Sequence, residues 1–342
     1  MASGGISSYY KECVQCPRGC RADRISGRAG FCGEDMTLRA ASAGLHFGEE
    51  PPVTVFGGSG TVFLTGCTLR CAFCQNYQIS QDGMGSPLDS AEFTRICLAL
   101  EEKGAENINL VTGSHHIPVL AQFIRDAKNS GVTVPFCWNS SAYETVEMLE
   151  LLRGCVDIWL PDLKTLDPGL SAELFGASDY PSVAMAAVLW MAENFPAKTV
   201  TVTKNGGTAE KMLSGVIVRH LFLPGKFSGT ADVLSWLKEN VDGRAYISLM
   251  SQYTPVPFDE SAEILERRKK SLSAIENRPV SRTEDGDLRD LIDAFEFETL
   301  FYQDLSDDDS WLPDFRSPHP FPNRLAVPVW HWKKAGGTRF LK

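Results

Sequence analysis

The sequence contains no apolar run long enough to span a membrane, and its first eight residues lack the basic and apolar regions of a signal peptide. Positive charge is also scarce, because 33 Lys and Arg stand against 43 Asp and Glu, for a formal net charge of −10. This balance argues against a general nucleic-acid surface, although a local basic pocket stays open. We therefore expect a cytoplasmic protein without a membrane partner.

Cysteine, in contrast, is abundant, with ten residues in a chain of 342. Such a number predicts disulfides in a small secreted protein, but seven of the ten lie in two tight clusters and no export signal precedes them, which favours metal binding. The other three, Cys97, Cys137 and Cys155, fall on predicted helix and strand faces, where we expect buried thiols.

One cluster has the spacing Cys67-x3-Cys71-x2-Cys74 and directly follows an apolar run at residues 61–65. The three thiols converge only if a strand ends there and the chain turns back in a tight loop. Three thiolates can hold three corners of a [4Fe-4S] cluster and leave the fourth iron open, as reactive rather than structural metal sites do. A zinc loop and three core cysteines are the alternatives.

The other cluster consists of Cys13, Cys16, Cys20 and Cys32 on a short, glycine-rich segment. Four cysteines predict a closed site that folds a segment too small to have its own core. The metal is either zinc or an auxiliary iron-sulfur cluster, since the spacing does not distinguish them. Unpaired thiols in a loop are the alternative.

Helix and strand patterns alternate from about residue 61 to residue 275, giving about six strand and helix pairs. This number predicts an α/β fold, a partial (β/α)6 TIM-like barrel rather than a closed eightfold one. We expect residues 1–45 to form a cysteine-rich metal-binding head, 46–280 the barrel and 281–342 an irregular C-terminal extension. The aromatic residues of the extension favour packing on the barrel, with a partner-binding arm as the alternative.

Two segments depart from the regular alternation. Residues 168–195 have a less regular helical pattern with a break at Pro181, and residues 199–207 predict an inserted hairpin.

Polar or glycine-containing clusters follow the predicted strands, where active sites of such folds collect. Any one of them is explained equally well by exposure of a loop to solvent. Five that meet at one edge are harder to explain in this way: 112–116, 139–141, 161–164, 219–220 and 251–253.

Together with the cysteine spacings, several segments resemble radical S-adenosylmethionine (SAM) enzymes. The closest resemblance is to the pyruvate formate-lyase activating-enzyme branch and its PflX-type uncharacterised homologues. The segments are CPR at 16–18, HFGEEP at 46–51, CQNY at 74–77, NINLVT at 107–112, LPDLK at 160–164, RHL at 219–221, LPG at 223–225 and MSQY at 250–253.

This resemblance implies that SAM chelates the open iron of a cluster held by the catalytic Cys67, Cys71 and Cys74. An electron from a donor such as flavodoxin or ferredoxin then cleaves SAM to a 5′-deoxyadenosyl radical, which abstracts hydrogen from a substrate. The resemblance also implies the following SAM-binding residues: Phe73, Thr112, Gly113, Asn139, Ser140, Asp162, Lys164 and Arg219.

Within that set, Phe73 is expected beside the adenine, and Thr112 and Gly113 begin the segment that contacts the SAM amino group through its backbone. His115 stands where the activating enzymes often carry a glutamate. Asp162, Lys164 and Arg219 suit the charged groups of SAM, with an ordinary salt bridge at the rim as the alternative.

The substrate implied by the resemblance is a glycyl radical enzyme. Another protein, a peptide or a small molecule is equally compatible with the sequence, because the cysteine-rich head and the long extension are absent from the simple activating enzymes. His115 and His116 are candidates for proton relay or substrate binding, and Gln252 and Tyr253 for facing the substrate. A non-catalytic iron-sulfur or zinc electron-transfer protein is the alternative to an enzyme.

Overall fold

The computed structural model describes residues 5–305, 311–322, 324–335 and 337–341. Parts of the predicted head and extension, including most of the aspartate-rich stretch that ends at residue 309, lie outside the described residues.

Eleven helices occur in the described residues. They are α1 (Ser8–Lys11), α2 (Pro51–Thr54), α3 (Tyr77–Ser80), α4 (Ser90–Glu102), α5 (Ile117–Asn129), α6 (Val146–Glu150), α7 (Pro168–Phe175), α8 (Tyr180–Asn194), α9 (Phe227–Asn240), α10 (Ala262–Leu272) and α11 (Arg282–Phe295).

Twelve strands occur in the same residues. They are β1 (Arg39–His46), β2 (Ser59–Leu64), β3 (Ser86–Pro87), β4 (Ile108–Val111), β5 (Phe136–Ser140), β6 (Ile158–Pro161), β7 (Lys198–Lys204), β8 (Gly207–Leu221), β9 (Tyr246–Met250), β10 (Leu300–Gln303), β11 (Ala326–Ala335) and β12 (Thr338–Phe340).

The strands form one sheet in the order β10-β9-β8-β6-β5-β4-β2-β1-β11-β12, with β3 on β1 and β7 on β8. From β2 to β10 the neighbours along this order are parallel. The predicted α/β fold is therefore confirmed as a mostly parallel sheet with intervening helices. The strand order is compatible with a partial barrel, which stays a prediction. The predicted hairpin is present, because β7 pairs with β8 antiparallel.

Helix α4 shows how the sequence determines these elements. Asp89 accepts a hydrogen bond from the backbone N–H of Glu92 at 2.7 Å and so caps the first turn. Phe93 and Leu100 face the core and are fully buried. Gly104, with φ of 94°, ends the turn after the helix, as an L residue would do only with strain.

The two faces of the sheet have different neighbours. Leu110, Trp138 and Val218 belong to the large core that includes the flanking helices. On alternate positions, Cys137 and Leu160 form a smaller cluster with Val53 of α2. Side chains alternate along a strand, so residues two positions apart face the same side. Asn139 and Asp162 stand two positions after Cys137 and Leu160 and therefore face the side of this smaller cluster.

The C-terminal extension is more regular than predicted. Its strand β10 continues the parallel sheet beyond β9, and β11 pairs antiparallel with β1 at the opposite end. Helix α11 begins with a capping box of Ser281 and Glu284. A helix is expected from the sequence near residues 288–302, and α11 lies somewhat earlier. The strands were not predicted, because strands of three to ten residues among prolines and aromatic residues leave little periodic signal.

Residues 168–195 form two helices rather than one irregular helix. Gly176 has φ of 61° and ends α7 in a left-handed turn. Pro181 stands near the start of α8, where its missing N–H costs no hydrogen bond.

Candidate active site

The loop after β2 carries Cys67, Cys71 and Cys74. The charges of Cys67 and Cys74 act on Cys71, and the charge of Cys67 acts on Cys74. Gly66 and Arg70 have φ of 86° and 53°, and these left-handed residues turn the chain back on itself. The backbone N–H of Arg70 also donates to the Cys67 sulfur at 3.4 Å. The loop therefore directs backbone N–H donors at the Cys67 sulfur, and its role as a cluster loop stays a prediction.

The environment of these thiols fits a metal ligand set. Burial raises the pKa of Cys71 and Cys74, so both stay protonated as free thiols, and a metal centre displaces such protons. Lys164 lies near enough to Cys71 to favour the thiolate. In the described part of the chain, no three His, Cys, Asp or Glu side chains are arranged to hold one ion.

Asp162, Lys164 and Arg219 form one ion-pair network where β6 and β8 end. Lys164 Nζ lies 2.7 Å from Asp162 Oδ2, and Arg219 Nη2 lies 2.7 Å from Asp162 Oδ1. Burial disfavours the Asp162 carboxylate, but Arg219 and Lys164 outweigh it and hold its pKa below the usual value. The Arg219 side chain is only 12% exposed, so the network is more enclosed than an ordinary rim salt bridge.

Two further side chains hold the guanidinium of Arg219. Its Nη2 donates to Asn139 Oδ1 at 2.5 Å, which brings the predicted residue of β5 into the network. Its Nη1 donates to Glu49 Oε2 at 3.3 Å, and Asn109 Nδ2 donates to the other oxygen of Glu49 at 3.1 Å. Arg219 is therefore fixed by carboxylates on two sides and an amide on a third.

Glu49 is a site residue that sequence reasoning missed. It belongs to the segment between β1 and α2, within the HFGEEP stretch at 46–51 to which sequence reasoning assigned no site residue. Burial raises its pKa, and the charge of Arg219 opposes that effect. The acidic pair before Pro51 was the only sequence feature that could have drawn attention to Glu49. Nothing in the local sequence indicates that its carboxylate contacts Arg219.

Thr112 and Gly113 follow β4 at the same edge. Thr112 has φ of 63°, unusual for a β-branched residue, and its N–H donates to the Asn139 carbonyl at 2.9 Å. A Cβ on Gly113 would lie 2.4 Å from the Trp138 ring and 2.7 Å from Leu120. The glycine is thus required by packing against these side chains, whatever its backbone binds.

Phe73 lies between two aromatic rings. Its ring centroid is 6.0 Å from those of Phe175 and Tyr253, both in edge-on geometry. Tyr253 is buried and its hydroxyl donates to Asn277 at 2.6 Å, while Gln252 donates to the carbonyl of Asp304 at 2.8 Å. The segment after β9 therefore contributes packing beside Phe73.

His115 and His116 are buried in the contact between the head and the sheet. Arg24 donates to the His115 carbonyl at 2.7 Å and to His116 Nε2 at 3.1 Å. The other nitrogen of His116 lies 3.1 Å from the Tyr10 hydroxyl, and His115 Nε2 lies 2.7 Å from the Thr65 carbonyl. These bonds give the histidines a structural task.

His220 faces the helices. Its Nδ1 lies 2.7 Å from the carbonyl of Leu163 and its Nε2 lies 2.9 Å from the Thr230 hydroxyl. A carbonyl only accepts, so Nδ1 carries the proton and Nε2 accepts from Thr230.

Arg18 connects the head directly to the three-cysteine loop. Its guanidinium donates to the carbonyls of Thr68 at 2.9 Å and Leu69 at 3.3 Å. It also donates to the carbonyls of Phe175 and Gly176 at the end of α7. One head side chain therefore satisfies four carbonyls around the loop, a role that the CPR segment did not reveal.

The four head cysteines lie close to one another. Arg24 Nη1 is 3.6 Å from the Cys13 sulfur, and the charges of Cys13, Cys20 and Cys32 all act on Cys16. Burial raises the pKa of Cys16 to about 12 and that of Cys32 to about 11. The donor set suits zinc or a cluster, but the described side chains do not form a ready single-ion site. The second metal stays a prediction.

Ser140 ends β5 beside a second buried acid, Glu144. The Ser114 hydroxyl donates to Glu144 Oε1 at 2.5 Å, and the Trp138 indole N–H donates to the same oxygen at 3.3 Å. Burial raises the pKa of this carboxyl, and the nearby Ser114, Ser140 and Trp138 lower it by a smaller amount. Sequence reasoning missed Glu144, because it lies beyond the polar cluster at 139–141.

Residues 61–213 match the family model described as the radical SAM superfamily. The uncharacterized protein MJ0674 of Methanocaldococcus jannaschii is 28% identical over 256 residues, which are 72% of this chain and 68% of that protein. No helix in the described part of the chain has the length and apolar character needed to cross a bilayer.

Two solved structures are similar at low identity. SuiB of Streptococcus suis bound to its precursor peptide SuiA is 13% identical, with a TM-score of 0.47 over 70% of this chain. This chain spans 46% of the SuiB chain, less than half its length. Methylornithine synthase (PylB) is 13% identical, with a TM-score of 0.45 over 72% of this chain and 71% of that one.

Proposed function

We propose that this chain, whose residues 61–213 match the radical SAM family model, is an enzyme that cleaves SAM reductively at a [4Fe-4S] cluster. Cys67, Cys71 and Cys74 would hold the cluster. The observation that carries the proposal is the loop after β2, which collects three thiols and a thiolate-directed N–H beside Lys164. The family match supports the same chemistry, because reductive SAM cleavage is general to this superfamily.

When bound, the cluster supplies one electron to the SAM sulfonium, and the 5′-deoxyadenosyl radical released takes a hydrogen atom from the substrate. The protein contributes orientation and exclusion of water. Its charged groups are suited to the amino acid part of SAM. Arg219 and Lys164 can bind a carboxylate, and Asp162 can accept from an ammonium.

We propose the remaining SAM-binding residues because they lie next to the residues already described. Asn139 and Ser140 end β5 beside Arg219 and Glu144, and Thr112 is bonded to the Asn139 backbone. Gly113 follows Thr112 and, as a glycine, has no side chain of its own that would cover its backbone. Phe73 offers an aromatic face beside Tyr253 on which an adenine can pack.

For the substrate we keep the proposal of a glycyl radical enzyme, with another protein, a peptide or a small molecule as alternatives. We further propose flavodoxin or ferredoxin as electron donor, a cytoplasmic location, and a second metal, zinc or a cluster, at Cys13, Cys16, Cys20 and Cys32. The division into units 1–45, 46–280 and 281–342 likewise stays a proposal.

The electron paramagnetic resonance (EPR) spectrum of the reduced, anaerobically reconstituted protein tests the proposal. We expect a [4Fe-4S] signal that changes when SAM is added, because SAM would bind the open iron. Cys71→Ala should lose the SAM-dependent change, and Cys97→Ala, a buried thiol in α4, should keep it. A signal insensitive to SAM in the wild-type protein would favour an electron-transfer role instead.

A further inference from the structure

One oxygen of Glu144 is buried without a hydrogen-bond partner. The residue is 1% exposed. Its Oε1 accepts from Ser114 and Trp138, whereas its Oε2 has no hydrogen-bond partner among the described residues. A buried carboxylate oxygen without a donor is costly to the folded state, so a group that donates to it would relieve that cost.

Glu144 lies at the edge of the sheet where β4 and β5 end, so a donor to its free oxygen would approach from that edge. Its partners are Ser114, in the loop after β4, and Trp138 and Ser140 of β5. Both loops stand at the carboxyl ends of parallel strands, where ligands of such sheets bind. Glu144 is also close enough to Asp162 for the two charges to interact.

Tyr180 connects Glu144 to the proposed cluster and SAM residues. Its hydroxyl donates to the backbone carbonyl of Asp162 at 2.7 Å and accepts from the backbone N–H of Lys164 at 2.9 Å. The charges of Asp162, Cys71 and Glu144 all act on this one hydroxyl. The backbone N–H of Asp162 also donates to the carbonyl of Ser140 at 2.9 Å, so the end of β5 that precedes Glu144 lies directly beside Asp162.

The charge of the region indicates which donor fits. Asp162 already has two cationic partners, Lys164 and Arg219. Glu144 has only neutral donors, and burial raises its pKa. An incoming cation with N–H groups would supply both the missing hydrogen bond and the missing charge.

We propose that Glu144 binds an alkylammonium group, and that this group is the α-ammonium of SAM. The inference rests on the proposed function and adds a residue to it. His115 Nδ1 is likewise buried without a hydrogen-bond partner among the described residues. A neutral imidazole brings no negative charge, however, so the Glu144 carboxylate is the better partner for a cation.

The test compares SAM with the analogue in which hydrogen replaces the α-amino group, using equilibrium dialysis with the reconstituted protein. Glu144→Gln should weaken SAM binding roughly ten- to hundredfold, the range for a hydrogen bond to a charged group. The same variant should bind the deaminated analogue as the wild type does, which also shows that its site is folded. Glu147→Gln, on the exposed face of α6, is the matched control and should bind both normally.

A substrate can supply the same chemistry, so n-butylammonium is titrated into the SAM-loaded protein and followed by its NMR line width. Butylammonium binding that Glu144→Gln abolishes, with SAM affinity unchanged, assigns the carboxylate to a substrate ammonium. Unchanged SAM affinity without such binding overturns the inference and leaves the proposed function intact. If the wild-type protein binds neither SAM nor the analogue, the proposed function fails, and the inference fails with it.

Discussion

Arg18 and Thr68 are joined by a hydrogen bond of 2.9 Å, from the guanidinium Nε to the backbone carbonyl. The pair connects the cysteine-rich head to the loop between Cys67 and Cys71, across 50 residues of sequence. Because Leu69 and the end of α7 use the same guanidinium, the shape of the loop depends on the head.

We expect Arg18→Ala to loosen the three-cysteine loop and to lower the iron bound per chain after anaerobic reconstitution. Four carbonyls lose a charged donor, and the free energy of unfolding should fall by roughly 2–4 kcal/mol. Arg28→Ala, at an exposed position of the same head, should change neither quantity. Equal iron content in the two variants would show that the loop holds its shape without the head.

Glu49 should act on SAM through Arg219. In Glu49→Gln the guanidinium loses one of its two carboxylates, so its position and the charge balance around it both change. We expect the dissociation constant for SAM to rise about tenfold, as measured by equilibrium dialysis, corresponding to about 1.4 kcal/mol. Glu173→Gln, exposed on α7, is the control. A SAM affinity equal to that of the control would remove Glu49 from the site.

Gly113→Ala should destabilise the fold because its Cβ would overlap the Trp138 ring. Overpacking of this kind costs roughly 1–3 kcal/mol in the free energy of unfolding. Gly229→Ala is the matched change, since no atom lies within 4 Å of its Cβ position and the residue is in α9. That variant should be about 0.5 kcal/mol more stable than the wild type, because alanine favours a helix. Urea unfolding measures both, and a neutral Gly113→Ala would mean that Trp138 can move.

His220 should make stability depend on pH. Burial lowers its pKa to about 4 in the folded protein, against about 6.5 in an unfolded chain. Between these values the unfolded chain binds more protons, so its contribution is complete above pH 6.5 and is lost as the pH falls towards 4. We expect His220→Gln to have a shallower decline, by at most about 1.4 kcal/mol per pH unit.

The exposed His319 supplies the control for that measurement, and His319→Gln should keep the wild-type slope of unfolding free energy against pH. Identical slopes for the wild type and His220→Gln would mean that burial does not hold the imidazole neutral in the folded protein.

The sequence alone predicts those parts of the site that depend on local spacing. Cys67, Cys71 and Cys74 converge because one short loop contains them, and Asp162 and Lys164 stand two residues apart after a strand. Arg219 follows from the parallel order of β6 and β8, whose carboxyl ends lie side by side.

Glu49, Glu144 and Arg18 were not predictable in the same way. Each acts through a partner that only the folded chain brings near, such as Arg219 for Glu49, at a separation of 170 residues. Their side chains carry no local pattern that distinguishes them from exposed charges. Burial decides their importance, and burial is a property of the packed structure.

The extension was misjudged for a related reason. Strand β11 pairs with β1 nearly 290 residues earlier in the chain, and its sequence mixes prolines with aromatic residues. Composition therefore predicted packing on the main domain, but it could not show that the extension adds strands to both ends of the sheet.

The most direct test of the central claim is the amount of 5′-deoxyadenosine formed from SAM by the reconstituted protein under strong anaerobic reduction. We predict formation by the wild-type protein and by Cys97→Ala, and none by Cys71→Ala, which lacks one ligand of the proposed cluster. Absence of 5′-deoxyadenosine from the wild type, or its persistence in Cys71→Ala, would contradict the assignment of radical SAM chemistry to this loop.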